Sequence, residues 1–412
     1  LLLIACLVPS SFSSAGDLRL QDLIREALEK NPEILAAESR AAASLYRIPQ
    51  AGSLPDPMFM FGYQNEGWDR YTYGKMSDAQ WMFSASQMFP FPGKLSLKED
   101  MAARDSEGSA FLRDVVKLKT LGRIRELYHD LFLVHKQIDL IRERTVLFSK
   151  IEEAALARYA SGMGMQQEVL MAQTEKYMLL EKEEMLQQKI QSLEAMLNAA
   201  IGRDVGAALG KPVEPEYSPY GRSLEEMLRM AYEHSPDLKA REKMVAAAEA
   251  KVKMAEKEYY PDFTLAASYF TRGGGQFEDM WSLTTTFNIP IYYRQKQRQA
   301  VLEARALRAE AGGDFDAAKL MIASVVRDNY AMHTTAGKLM DLYKSGLIPK
   351  TYQDFESSLA GYAAGKTEAI TVISRLKALI DFEISYWTQF AEREKAIARF
   401  ESMAGIAEPG ER

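Results

Sequence analysis

Of the 412 residues only one is cysteine, Cys6, so no disulfide within the chain holds its fold together. After the N-terminal stretch no apolar run reaches the roughly 18 residues that a membrane-spanning helix needs, which excludes an ordinary transmembrane helix there. Positive charge is also short: 51 Lys and Arg stand against 57 Asp and Glu, for a net charge of -6. Without a basic stripe to neutralise phosphates, nucleic acid is excluded as a partner. The four histidines (His129, His135, His234 and His333) show no metal-ligand spacing, and His135 falls on an apolar seam where packing explains it better. Gly273-Gly274-Gly275 lies between strand-like segments rather than ahead of a helix, so it is a loop and no phosphate cradle. No nucleophile–base motif stands out. The expectation is a protein that is no enzyme and holds no cofactor.

What is there begins with an export signal. Residues 1–15, LLLIACLVPSSFSSA, form an apolar segment broken by Pro9, with Ser13 and Ala15 as the small residues of a cleavage site. Leu3-Ile4-Ala5-Cys6 also has the form of a lipidation box, so Cys6 is either a lipid-carrying N-terminus or a residue removed with the signal. Methionine is abundant, 21 in all, with Met58, Met60, Met76, Met82 and Met88 close together. Soft thioethers suit Cu(I) or Ag(I), but flexible packing accounts for them more simply, and no metal is assigned.

The dominant feature is repetition. Apolar residues Leu121, Ile124, Tyr128, Leu131, His135 and Ile138 recur at alternating three- and four-residue steps, the spacing of a coiled-coil seam. The long helical stretch carrying them starts near Pro92 and stops near Gly162 and Gly164; at 1.5 Å per residue it would be on the order of 100 Å long. A second helix runs from about Gln166 to Ile201. The pattern then restarts: Asn31-Pro32-Glu33-Ile34 recurs as Ser235-Pro236-Asp237-Leu238, and Pro55-Asp56 as Pro261-Asp262. Further on, Trp81 recurs as Trp281, Phe89-Pro90-Phe91 as Ile289-Pro290-Ile291, and Tyr159–Gly162 as Tyr362–Gly365. Five pairs in one order mean an internal duplication. We divide the chain into a signal remnant (1–15), a first repeat (16–210), a Pro-rich connector (211–221), a second repeat (222–404) and a polar tail (405–412).

Each repeat reads helix, strand, loop, strand, very long helix, glycine break, long helix. The strands alternate: Trp281, Leu283, Thr285, Phe287 and Ile289 share one face, and Ser282, Thr284, Thr286 and Asn288 share the other. One apolar, aromatic face against one small, hydroxylic and uncharged face fits a transmembrane β-barrel; a soluble sheet with one buried face alternates in the same way. Export without a membrane helix favours the barrel. Its aromatic surface would comprise Phe59, Phe61, Trp81, Phe83, Tyr269, Trp281 and Phe287. Four strands cannot close, and open edges are not tolerated in lipid. Three chains would supply twelve strands, whereas two would supply eight and leave little lumen.

This helix–hairpin–helix duplication resembles the TolC-type outer-membrane efflux proteins over the whole mature chain. LPDP (Leu54–Pro57) and FPFPGKL (Phe89–Leu95) resemble the subgroup that exports heavy metals and other cations. The resemblance implies a mainly α chain with a small β part: an internally duplicated long-helix α-barrel tunnel across the periplasm, and four strands in a trimeric 12-stranded transmembrane β-barrel. It implies a homotrimer in outer-membrane lipid, partnered by a periplasmic adaptor protein and an inner-membrane pump. It also implies a gate at the periplasmic helix tips. Glu168, Tyr362 and Lys366 would form that gate, with Gly162, Gly164 and Gly365 as hinges. The family's acidic ring would fall at Thr371 and Ser374, which carry no charge here. The alternatives are a duct for drugs or for type I protein secretion and, in a different class, a periplasmic coiled-coil adaptor or scaffold.

Overall fold

A computed structural model describes residues 17–218 and 220–405; the signal-like segment with Cys6, and the polar tail from residue 406 on, lie outside the described residues. The first repeat contains α1 (Leu20–Lys30), α2 (Pro32–Leu45), α3 (Arg47–Gly52), β1 (Met58–Gln64), β2 (Gln80–Phe89), α4 (Lys94–Ala160) and α5 (Gln166–Ile201). The second contains α6 (Leu224–His234), α7 (Pro236–Lys257), β3 (Phe263–Thr271), β4 (Met280–Phe287), α8 (Gln297–Leu342), α9 (Ile348–Ala363) and α10 (Ala369–Ala404), with a π turn, Tyr343–Leu347, joining α8 to α9. The copies match in length as well as order. α1 and α6 have 11 residues each, and α5 and α10 have 36 each. α4 has 67 residues, and its counterpart is split into 46, 5 and 16.

Local chemistry explains the starts. Ser223 caps α6 in a reciprocal box: its Oγ accepts from Glu226 N (3.3 Å), and the Glu226 carboxylate accepts from Ser223 N (2.8 Å). Asn31 caps α2 by accepting from Glu33 N (2.8 Å) and Ile34 N (3.0 Å), while its amide donates to Ala200 O at 2.7 Å.

Two compact units emerge, and each is built from both repeats rather than from one. The first takes residues up to Ala37, Asp114–Pro236 and from Leu320 onward. Its core holds the seam residues Ile124, Tyr128 and Leu131 against Leu23, Ala27, Leu193, Leu197 and Ile201. His135 is half-buried, at the edge of that seam. The connector is bound into this unit: Leu18 N donates to Lys211 O (2.9 Å) and Val213 N to Leu18 O (3.1 Å). Arg393, only 2% exposed, lies over the Tyr217 ring at 3.9 Å and donates to Ser218 O at 2.6 Å.

The second unit is Glu38–Arg113 with Asp237–Lys319. It carries one antiparallel sheet in the order β1-β2-β3-β4. Lys94, the first residue of α4, is 2% exposed. Its ammonium donates to Asp262 Oδ1 (2.8 Å), Tyr260 O (3.1 Å) and Glu258 Oε2 (3.4 Å). Three acceptors offset the cost of burying the lysine. That network ties the start of α4 to the start of β3.

Candidate functional site

Two places hold the chemistry singled out in the sequence: the sheet, and the turns that end the two long helices. In the sheet, cross-strand register sorts the side chains into rows. Phe61 faces Phe83, Phe83 faces Tyr269, and Tyr269 faces Trp281. Below that row Phe59, Ala85, Ala267 and Leu283 line up in the same way. The opposite face runs Met60, Ser84, Ser268, Ser282, with a hydroxyl bond from Ser268 to Ser84 at 2.8 Å. All seven aromatics expected on one surface therefore share a face. They are bare to unequal degrees: Phe59 and Trp281 are each 80% exposed, and Phe83 45%. Phe61 stacks on Trp81 at 5.0 Å. Gln87 breaks the pattern, standing on the aromatic face with its amide donating to Pro55 O at 2.7 Å.

The turns are duplicates in backbone. Gly162 and Gly365 have φ of 74° and 73°, the left-handed region that a side chain disfavours. In the first turn Gly162 N donates to Tyr159 O, and Met163 N to Arg158 O at 2.9 Å. In the second Gly365 N donates to Tyr362 O, and Lys366 N to Gly361 O at 2.8 Å.

Side chains then join the two. Tyr362 is fully buried among Phe148, Ile151, Val372 and Leu376, and its hydroxyl donates to Glu168 Oε2 at 3.0 Å. Burial, reinforced by that carboxylate, pushes the phenol up to about 12 and keeps it a donor. The cation at this place is Arg158. It reaches Tyr362 O (2.9 Å) and Met163 O (3.0 Å), and its guanidinium lies 4.9 Å from the Tyr362 ring centre. One planar fork thus serves carbonyls at the ends of both helices, where positive charge is favoured. Of the three residues placed at the tips by resemblance, Glu168 and Tyr362 are bonded to each other. Lys366 is exposed, and among the described residues no side-chain bond joins it to either of them. Gly164 is close-packed: a Cβ there would lie 3.0 Å from Arg158 Cβ.

Arg158 was legible in the sequence. Laying Tyr159–Gly162 over Tyr362–Gly365 puts it opposite Gly361, an arginine facing a glycine one residue before the shared tyrosine.

Among the described residues no group of three or more His, Cys, Asp or Glu could hold a metal ion, and no helix is long and apolar enough to cross a membrane. Residues 23–203 and 227–374 match the family described as "Outer membrane efflux protein". The chain is 23% identical to the pyoverdine export outer membrane protein OpmQ of Pseudomonas putida, over 94% of this chain and 86% of that one. Its fold superposes on the outer membrane protein VceC of Vibrio cholerae with a TM-score of 0.80 at 17% identity, covering 94% of this chain and 96% of the other. CusC gives 0.81 at 14% identity, covering 96% and 95%. The CmeC outer membrane channel of Campylobacter jejuni gives 0.78 at 12%, covering 94% and 86%. The matched residues reach into both repeats and span both hairpins and both turns, and on that evidence the chain belongs to the TolC-type outer membrane efflux protein family: a non-enzymatic channel of the bacterial outer membrane with a periplasmic extension, the outer-membrane component of a tripartite efflux system.

Proposed function

We propose that three copies of this chain form the exit duct of a tripartite pump for metal cations, docked on a periplasmic adaptor and an inner-membrane pump. The observation that carries the assembly is the four-stranded sheet with two free edges, β1 and β4, in a chain whose described helices cannot cross a bilayer. Three sheets make twelve strands, with the aromatic row toward lipid and the serine row toward water. Support for metal cations comes from the motifs LPDP and FPFPGKL at the hairpin ends. The likeness to a pyoverdine exporter favours a second reading, a small organic cargo.

The two turns are the gate in this reading. Arg158, Glu168 and Tyr362 hold the ends of α4, α5 and α9 together, and the glycines at 162 and 365 let the turns move. Cys6 is the lipid-carrying N-terminus or leaves with the signal; mass measurement of the mature N-terminus decides between the two. Transport is passive conduction through water. The test of the channel is purification from membranes in detergent, followed by oligomer mass and bilayer conductance. A trimer with discrete conductance is expected; a monomer that stays soluble without detergent would overturn the reading. Cargo is tested by deleting the gene and comparing tolerance to copper, silver, zinc and cobalt salts with tolerance to dyes and iron chelators. Sensitivity confined to the organic compounds would sink the metal assignment.

A further inference from the structure

The methionines that the sequence groups together lie on the side of the sheet where hydrophobicity alone would not put them. Every methionine of the four strands (Met58, Met60, Met82, Met88 and Met280) is on the serine and threonine face, and none is on the aromatic face. Register sets them in successive rows: Met88 with Thr264, Met58 with Ser86, Met60 with Ser84, and Met82 with Gly62, Phe270 and Met280. Met76 lies apart, in the loop after β1.

Packing, the simpler account of these residues, needs a core for them to fill. Met58 is 64% exposed, Met60 56% and Met280 41%, and only Met82 and Met88 are half-buried. Met82 leans over β1: a Cβ on Gly62 would lie 3.4 Å from its Cε, and glycine leaves the space that the thioether arm uses. Met58, Met60 and Met82 thus follow one another along one strand, at a spacing that long side chains bridge. None of the four strands contains Asp, Glu, Lys, Arg, His or Cys, so the side-chain donors on this face are neutral sulfur, hydroxyl and amide groups. Hard divalent ions are taken by carboxylates and imidazoles and find neither. Thioethers take soft ions, and a single charge costs less to desolvate than a double one.

We propose that this face of the sheet is a ladder of thioether sites for soft monovalent metal ions, Cu(I) and Ag(I). Alternate residues of a strand stand roughly 7 Å apart, so the rows from Met88 to Met82 and Met280 step an ion along roughly 20 Å of wall. Two neutral sulfurs hold such an ion weakly, which is what passage needs: each row accepts the ion and releases it to the next. The inference rests on the proposed metal duct, narrows its cargo to soft ions and names the residues that meet them.

The test uses the full chain in detergent, its methionine methyl groups carbon-13 labelled and assigned by single Met→Leu substitutions, titrated with silver nitrate in chloride-free buffer. Met185 and Met321 are the controls, 65% and 66% exposed but outside the sheet. Shifts at Met58, Met60 and Met82 are expected at silver concentrations at least tenfold below those that move the controls. Sheet methyls that stay unmoved, or move only with the controls, overturn the ladder. In cells, Met58→Leu, Met60→Leu, Met82→Leu, Met88→Leu and Met280→Leu together keep side-chain volume and should lower silver tolerance at least fourfold while potassium conductance stays unchanged. Should that variant fail to assemble, the methyl shifts of the unsubstituted chain still decide. Full silver tolerance in an assembled variant overturns the ladder, as does a gene deletion that sensitises cells to zinc or cobalt alone; both leave the metal duct standing. A deletion that leaves tolerance to every metal salt intact overturns the duct reading itself.

Discussion

The turn after α4 and the turn after α9 share a backbone and differ in chemistry. Each has a left-handed glycine and the same pair of closing hydrogen bonds. The first carries Arg158, Gly164 and Glu168; at the same places the second carries Gly361, Thr367 and Thr371. Space is exchanged along with charge. A Cβ on Gly361 would sit 2.4 Å from Thr367 Oγ1, and a Cβ on Gly164 would sit 3.0 Å from Arg158 Cβ. In each turn one position is small because the other is occupied, and the roles are reversed between the copies. Duplication kept the turn, and divergence put the polar groups into the first copy, from which they reach Tyr362 of the second.

The largest expected effect is that of Arg158→Ala. It removes donors from Tyr362 O and Met163 O, and hydrogen bonds from a charged group are worth about 1.5–3 kcal/mol each. Faster amide exchange at both turns and raised bilayer conductance without partner proteins are expected; unchanged exchange at the second turn would break the idea that the first holds it.

Next comes a pair of glycines. Gly162→Ala and Gly365→Ala both incur the left-handed penalty of about 1–2 kcal/mol. Only at Gly365 does the new Cβ approach Arg158 Nη1, at 3.1 Å, while at Gly162 nothing lies within 4 Å. Thermal melts should show Gly365→Ala as the more destabilised variant, and equal losses would mean that Arg158 yields freely.

A smaller loss, about 1 kcal/mol, is expected for Tyr362→Phe, which deletes the bond to Glu168 and leaves the ring packed. Glu168→Gln should do less in melts, since an amide oxygen still accepts. In the gate reading both raise conductance, and two silent variants would remove these residues from the gate.

At neutral pH the smallest effect is the ionisation of Tyr362. Its folded-state pKa, about 12, lies above the ordinary 10.0, so the folded chain holds more protons between those values. Stability is therefore level below pH 10 and falls as pH rises toward 12. Phenolate absorbance subtracted between the chain and Tyr362→Phe should show one group titrating near pH 12; a midpoint near 10 would show the ring to be unburied.

Most of the fold could be read from residue order because a repeat reports its own boundaries. Seam positions such as Ile124 and Leu131 became core, and both hairpins appeared where proline-aspartate and tryptophan recur. Less was legible where a residue is satisfied by a distant partner. Gln87 sits on the aromatic face because Pro55 O accepts from its amide, and hydropathy alternation cannot register that bond. Arg158 stands out against Gly361 of the other copy, but the groups it binds emerge only when the chain closes and brings Tyr362 to it. Arg393 likewise lies in the middle of a helix, yet it is buried under the connector at Tyr217 and Ser218. The compact units are also absent from linear order, since each combines segments of both repeats.

The π turn Tyr343–Leu347 has a consequence for how such a chain tolerates change in length. Two heptads after the buried Met340 comes Asp354, which is exposed and paired with Arg375 at 2.8 Å; the buried residue is its neighbour Phe355. A straight α-helix would have turned that stripe away from its neighbours by one position, about 100°. The wider turn takes up one residue's worth of phase in the backbone, so the correction is made at one point and the contacts beyond it keep their stripe.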